Sequence, residues 1–573
     1  MDRHAVALVL DEIATLLDST ADNRFRVRAF RAAARAVDRL EVDLRTMIAD
    51  GSLRTVAGIG PATASVIEEL VTTGESRYLV ELRERAPSGM RTLLRVPGLG
   101  PKKIALLHER LGIADLDALD EAARTGRIAE LPGFGERTQQ RIRDGIAFAR
   151  GLAGRRRRHQ AEEAAERLAG YIAALPGVSG AVVAGALRRG LEIVDDIVIV
   201  AAARDAATTA DTLRHTAGAQ WAGDGAHAVH GVFSDGLRVE VRFAPPDRFG
   251  AALLLATGAA AHIDALQRIA DAAGVDIDMS GMSDEDAVYA ALGMQWVPPE
   301  LREGGTEIDL ARAHRLPRLV ELADLRGCFH CHTTASDGTA GVREMAEGAL
   351  ALGWRYLCIA DHSRNAGYAG VLSPAQLRRQ RREIDGWNTE RGDELFLFAG
   401  IEADILPDGQ LDYAAQGDGE VLDALDYVIG SVHSQFRMPR AAMTARVTRA
   451  VGDPRLTMLG HATGRLLLTR EGYDIDLDAV IDAAARSGAA IEINADPHRL
   501  DMSWQHWPRA RELGVRCAIN PDAHSVAGMR NVRHGVVIAR RAALTPADVI
   551  NAWPLTDVVA YLQSRKEDRA PTH

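Results

Sequence analysis

Cysteine, aromatic residues and long apolar runs are all scarce in this chain of 573 residues. Its four cysteines, Cys328, Cys331, Cys358 and Cys517, have no zinc-ribbon spacing, so a thiolate zinc site is not expected. The simplest reading makes them small buried residues on strands. No apolar run is long enough to cross a bilayer, and no charged-then-apolar signal segment opens the chain. Membrane partners are therefore not expected, and the expected setting is the cytoplasm, where disulfides are unusual. What is present fits a soluble globular protein: 47% apolar residues, 26% charged residues and a length that calls for three or four domains.

The net charge of −11 argues at first against nucleic acid, but its distribution is uneven. Residues 1–158 hold 27 Arg and Lys against 22 Asp and Glu, whereas the rest holds 41 against 57. A basic front half and an acidic back half suit a DNA-holding module joined to a cation-binding one.

The front half repeats itself. "VAGIGPAT" (56–63), "VPGLGPKK" (96–103) and "LPGFGERT" (131–138) share one frame, an apolar residue inside Gly-x-Gly between helical patterns. This is a helix-hairpin-helix design, in which the glycines permit a tight turn and the next helix start offers N–H groups to a phosphate. Gly58, Gly60, Gly98, Gly100, Lys102, Gly133 and Gly135 are the candidate DNA contacts, gripping backbone without reading bases. Arg24, Arg28, Arg31 and Arg35 recur at helical spacing beside them, and "GRRRRH" (154–159) marks a linker or domain edge.

From 160 to 245 the pattern turns to a helix and then strands, a small α+β unit. It opens on "GALRRGLEIVDDIVIV" (185–200), where Gly185, Arg188, Arg189 and Gly190 lead into an apolar strand with an acidic start. Two-metal nucleotidyl transfer wants two carboxylates on one strand face, as Asp-x-Asp. Here Asp195 and Asp196 are adjacent, so they face opposite ways, and Val198 stands in the partner's place.

Beyond 325, seven short apolar runs (325–331, 355–360, 395–401, 426–432, 457–460, 489–494, 515–520) alternate with helical patterns, the signature of a parallel α/β barrel. Their ends carry His330, His332 and Asp337; His362; Glu402; His433; His461; and Asp522 with His524. Barrel enzymes keep their sites at strand C-termini. Alternation sends both imidazoles of His330-x-His332 to one face. One histidine alone is ordinarily a core or surface residue, but six of the chain's 18 fall at equivalent positions. Nine mixed imidazole and carboxylate ligands exceed one ion's need and predict two or three divalent metals, with Glu402 and Asp337 as bridges. Manganese or zinc fits best, with iron or magnesium as alternatives. Such ions lower the pKa of water and neutralise a phosphodiester, so the expected chemistry is metal-dependent phosphoester hydrolysis. Asp361 is expected to orient a ligand histidine, and Arg465, in "HATGR", is a candidate for a substrate phosphate or a surface ion pair.

"HCHTTASDG", "IADHS", "GIEADIL", "GSVHS", "GHATGR", "EINADPHRLD" and "PDAHS" resemble the PHP (polymerase and histidinol phosphatase) domain. With the hairpins, "GALRRG", "FGAALLLATG" and "PPELREG" in order, essentially the whole chain resembles bacterial family X DNA polymerases. The resemblance implies a multidomain α+β and α/β protein with helix-hairpin-helix domains at 1–88 and 89–158, the second fingers-like. A nucleotidyltransferase-like palm (159–245), a thumb (246–316) and a distorted (β/α)7 PHP barrel (324–573) follow. It implies a three-metal 3′–5′ exonuclease in DNA repair, with abasic-site cleavage in some members. All nine family ligand positions hold the expected residue types.

The palm departs from the family's pattern. Gly185-Ala186 replaces Gly-Ser, Val198 replaces the second aspartate, Glu240 replaces the third, and Leu255-Ala256 replaces Tyr-Phe before Thr257-Gly258. Asp196, Glu240 and Arg188 are the remnants of the polymerase site. No lysine precedes Lys102, so the usual Schiff-base lyase of the family lacks its amine. The expectation is a nuclease acting on 3′ ends of gapped, nicked or damaged duplex, a monomer associated with the nucleoid, its palm inactive. The alternatives are an active repair polymerase using Asp196 and Glu240, a DNA-binding scaffold, and a phosphatase of a small metabolite.

Overall fold

The structure is a computed structural model. It describes residues 3–567 apart from 20–23, 39, 41–43, 74–75, 86–92, 95, 97, 152–153, 217–218, 224–226, 234–235, 278–280 and 366–371. The chain divides into two compact units, Met1–Ala153 and Gly154–His573.

The first unit is helical, and its described core gathers apolar residues from every repeat. The shared frame of the three hairpins is a shared turn. Gly58, Gly98 and Gly133 sit at φ 92°, 87° and 86°, a region that disfavours any side chain. The following apolar residue, Ile59, Leu99 or Phe134, is buried, and its N–H bonds three residues back to Val56, Val96 or Leu131. Helices Pro61–Thr73, Pro101–Leu111 and Gly135–Gly151 then begin. The periodicity of Arg24–Asp38 buries Val27, Phe30, Ala33, Ala34 and Val37 and leaves Arg28 and Arg35 exposed, while Arg31 pairs with Asp18 at 3.2 Å.

In the second unit, β1 (Arg156–Arg157) and β3 (Ile193–Val194) pair as a short antiparallel clip. The palm is a five-stranded sheet of β2 (Val178–Ala184), β4 (Asp196–Ala203), β5 (Ala219–Ala222), β6 (Ala228–Phe233) and β7 (Arg238–Ala244), in the order β2-β4-β7-β6-β5. Only β4 and β7 run parallel.

Eight parallel strands build the rest: β8 (Gly327–Cys328), β9 (Tyr356–Ile359), β10 (Phe396–Ala399), β11 (Glu402–Asp404), β12 (Ile429–Ser431), β13 (Met458–Leu459), β14 (Ala490–Asn494) and β15 (Cys517–Asn520). The third apolar run breaks at Gly400-Ile401, so that β10 pairs with β9 and β11 with β12. This break makes two sheets, β10-β9-β8 and β11-β12-β13-β14-β15. Parallel bridges His362↔Glu402 and Cys331↔Ala523 join them at both seams, so the strands follow chain order around an interrupted ring. Inside lie Phe329, Tyr356, Phe398, Tyr427, Met458, Ala490 and Ala518, and Val558 and Leu562 of the last helix pack with them. Alternation lifts Glu492 and Asn494 above Ala490, and Asn520 above Ala518, so that a polar layer crowns an apolar one.

Candidate metal centre

The polar layer holds all nine predicted ligands. Glu402, buried at the seam between the sheets, is central. Its carboxylate lies 2.8 Å from His362 Nδ1, 3.0 Å from His461 Nε2, 3.3 Å from His433 Nε2, 3.4 Å from His330 Nε2 and 3.8 Å from His332 Nε2. Asp522 lies 3.1 Å from His332 and 3.7 Å from His330. Asp337 lies 3.2 Å from His524, 3.6 Å from His362 and 3.9 Å from His332. Three sets of donor atoms, each within 4.8 Å of one another, share members: His332, Asp337, His362 and His524; His330, His332 and Glu402; His362, Glu402 and His433. Asp337 and His524, about one-third exposed, form the mouth, and the other ligands are buried or nearly so.

The chemistry of these donors fits divalent cations. His330 Nε2 and His332 Nδ1, which face Glu402 at 3.4 Å and Asp337 at 3.9 Å, are buried without a hydrogen-bond partner among the described residues, a cost that a metal removes. Burial, reinforced by His524, pushes His332 down to about 4, which leaves it a neutral donor. Burial alone would raise the Glu402 carboxyl, but His433, His330 and His362 hold it well below its ordinary value.

Sequence reasoning missed the residues that hold these ligands. Glu492, fully buried, accepts from His330 Nδ1 at 2.7 Å and from the His461 backbone N–H at 2.7 Å. Asp404 lies 2.5 Å from His433 Nδ1. Asp404 shares the inward parity of the ligand Glu402 on β11, and that was its available signal, whereas Glu492 stands on β14, the one run to which no ligand was assigned. Arg499 was missed as well. It lies 3.7 Å from Asp522, and the pull of Asp522, Asp496 and Glu402 outweighs burial and keeps it cationic.

Two expectations change. The Asp361 carboxylate is taken up by the loop after His332 and by Gln380. It accepts from the Thr333 N–H (2.7 Å), the Thr333 hydroxyl (2.6 Å), Ser336 and Gln380 (2.5 Å), so it shapes the loop that ends on Asp337. Arg465 is committed to the protein and donates to the carbonyls of Arg499 and Leu500 and to Glu192 at 2.8 Å. The arginine run is likewise partly internal: Arg157 donates to Leu467 O, and Arg158 pairs with Glu162.

The palm remnants are committed elsewhere. Val198 stands beside Glu240 on neighbouring strands and packs with Ala184, Val200, Leu253 and Ala256. Arg242 clamps both oxygens of Glu240, at 2.9 and 3.1 Å. Asp195 pairs with Arg155 at 3.0 Å. Burial raises Asp196, against the opposing pull of Arg238. Arg188 donates to Glu285 at 2.6 and 2.9 Å, and Arg302 grips the same carboxylate from its other side. Arg189 donates to Glu303, which Arg541 also holds. Among the hairpin candidates, Gly58, Gly98, Gly133 and Gly135 (φ 51°) adopt positive φ, and Gly60 and Gly100 precede their helices. Lys102 is exposed, while Lys103 braces the second turn through Gly98 O.

Hairpin modules, a palm-like sheet and a ring of metal donors define a multidomain enzyme with a metal-dependent phosphoesterase domain. Known proteins agree along the chain. The helix-hairpin-helix domain family matches residues 1–76, the SAM-like helix-hairpin-helix tandem 90–147, and the DNA polymerase beta thumb 252–303. A DNA polymerase/3′-5′ exonuclease PolX of Bacillus subtilis is 33% identical over 98% of this chain and 100% of its own. Probable phosphatases of Caldicellulosiruptor saccharolyticus and Caldanaerobacter subterraneus match the C-terminal part. They are 31% and 26% identical over 34% and 42% of this chain, and over 78% and 91% of theirs. The chain belongs to the bacterial family X DNA polymerases of the PolX type.

Proposed function

We propose that this protein is a divalent-metal-dependent DNA phosphodiesterase, a 3′–5′ exonuclease with abasic-site cleavage as a further activity, and that its palm no longer polymerises. The convergence of nine donors around Glu402, with buried imidazole nitrogens left unsatisfied, carries the reading. His330, His332, Asp337, His362, Glu402, His433, His461, Asp522 and His524 would hold two or three ions, manganese or zinc. Bound there, the ions would neutralise the phosphodiester and lower the pKa of a water. The chain's own part is orientation: Glu492 and Asp404 fix imidazoles, Asp361 holds the Asp337 loop, and Arg499 offers a guanidinium to a non-bridging oxygen. The hairpins suit the backbone of gapped, nicked or damaged duplex. No helix among the described residues is long and apolar enough to cross a membrane.

In the palm, an apolar side chain fills one carboxylate position, an arginine occupies a second carboxylate, and both arginines of the turn are ion-paired. These observations favour a palm that serves as a structural support. The test is a labelled primer–template incubated with manganese, with and without nucleotides. Shortening that His332→Ala abolishes is the expected result, and extension of the primer would overturn the reading of the palm.

A further inference from the structure

We propose that Arg378, Arg379 and Arg382 form a phosphate track that leads a single DNA strand to the mouth of the metal centre; the proposal rests on the nuclease reading above. The three lie on the first turns of helix Pro374–Arg391, between β9 and β10, at the end where parallel strands present the ligands. Leu377, Gln380, Ile384 and Trp387 are buried, which turns the three arginines outward.

That helix is tied to the site. Gln380, 5% exposed, donates to Asp361 at 2.5 Å and approaches the Thr333 hydroxyl at 3.4 Å. Thr333 follows the ligand His332, and Asp361 precedes the ligand His362. Beside them is a cavity of about 240 Å³ lined by Thr333, Thr334, Gln376, Arg379, Gln380 and Glu383. It adjoins the loop that ends on Asp337, which with His524 forms the exposed side of the centre. A strand entering there meets Arg379 and the exposed Thr334 beside the donor cluster, while the buried Thr333 hydroxyl stays on Asp361.

The charges are also unspent. Arg381 of the same helix pairs with Asp385 and Asp426, and Arg391 with Glu394. Arg378, Arg379 and Arg382 make no side-chain hydrogen bond or ion pair among the described residues, and Glu383 is the only carboxylate among the cavity's lining residues. Like charges at 378 and 382 disfavour the isolated helix. A polyanion relieves that repulsion, and three consecutive phosphates are its natural form.

The test compares the full-length protein with the triple variant Arg378→Gln, Arg379→Gln, Arg382→Gln, both loaded with manganese. Hydrolysis of a single-stranded oligonucleotide is followed across salt concentrations, and bis(p-nitrophenyl) phosphate serves as a substrate with no strand to track. The expected variant loses about tenfold or more in kcat/KM on DNA at low salt. Its log–log salt slope is shallower by about 2, at roughly 0.7 per phosphate contact. Its rate on the small diester matches the wild type. An unchanged DNA rate and slope would overturn the track, as would an equal loss on both substrates, which indicates damage to the centre. Wild-type protein that cleaves the small diester but not DNA would instead sink the nuclease reading, and the track with it.

Discussion

At the residue scale, the centre separates donors from the groups that hold them. Glu402→Gln removes the carboxylate that five imidazoles share. It is expected to abolish oligonucleotide hydrolysis and to lower metal content measured by elemental analysis. Glu492→Gln keeps every donor but loosens His330 and His461. Metal affinity is then expected to fall about 10- to 100-fold, read by competition with a chelator. The two arginines of the site make a matched pair. Arg499→Ala removes a charge beside Asp522 and is expected to cost roughly 1.5–3 kcal/mol in kcat/KM. Arg465→Ala loses carbonyl and Glu192 contacts, so it is expected to lower Tm with little effect on rate. The ligands were legible because each ends an apolar run. Arg499 was not, since "NADPHRLD" offers several polar residues and only the fold decides which one leans on Asp522.

At the element scale, the palm turn and thumb share one buried carboxylate. Burial opposes ionisation of Glu285, but Arg302 and Arg188 bring its carboxyl down to about 2 from the ordinary 4.5. A lowered carboxyl stabilises fully above its unfolded value and progressively less as pH falls from 4.5 toward 2. The shift corresponds to about 3 kcal/mol at neutral pH. Glu285→Gln is therefore expected to lower Tm clearly at pH 7 and much less near pH 3, as thermal melts at both values would show. The hairpin turns were readable for the same reason that they form, because glycine readily accepts φ near 90° just before the buried apolar residue of the shared frame. The arginine run was read as a linker or domain edge, and the unit boundary falls at Ala153–Gly154, but Arg157 is half-buried and Arg158 is buried. A charge run reports solvation only until a partner surface covers it.

At the scale of the whole molecule, one chain carries a DNA grip, a palm with its charges cancelled and a donor-lined ring. Chelation followed by manganese addition is expected to abolish and then restore hydrolysis, and to lower and then restore Tm, because a ligand that binds only the folded ring stabilises it. The sequence by itself determined the repeats, the strand ends and the ligand types, since these follow from local periodicity and from which side chains bind cations. It also exposed the missing aspartate at Val198. Only the tertiary structure decided that Glu402 is the hub, that Glu492 and Asp404 brace the imidazoles, and that Arg188 and Arg189 are already neutralised. Those facts depend on residues up to 162 positions apart meeting across a sheet seam or a domain contact, and no local pattern encodes a meeting at that distance.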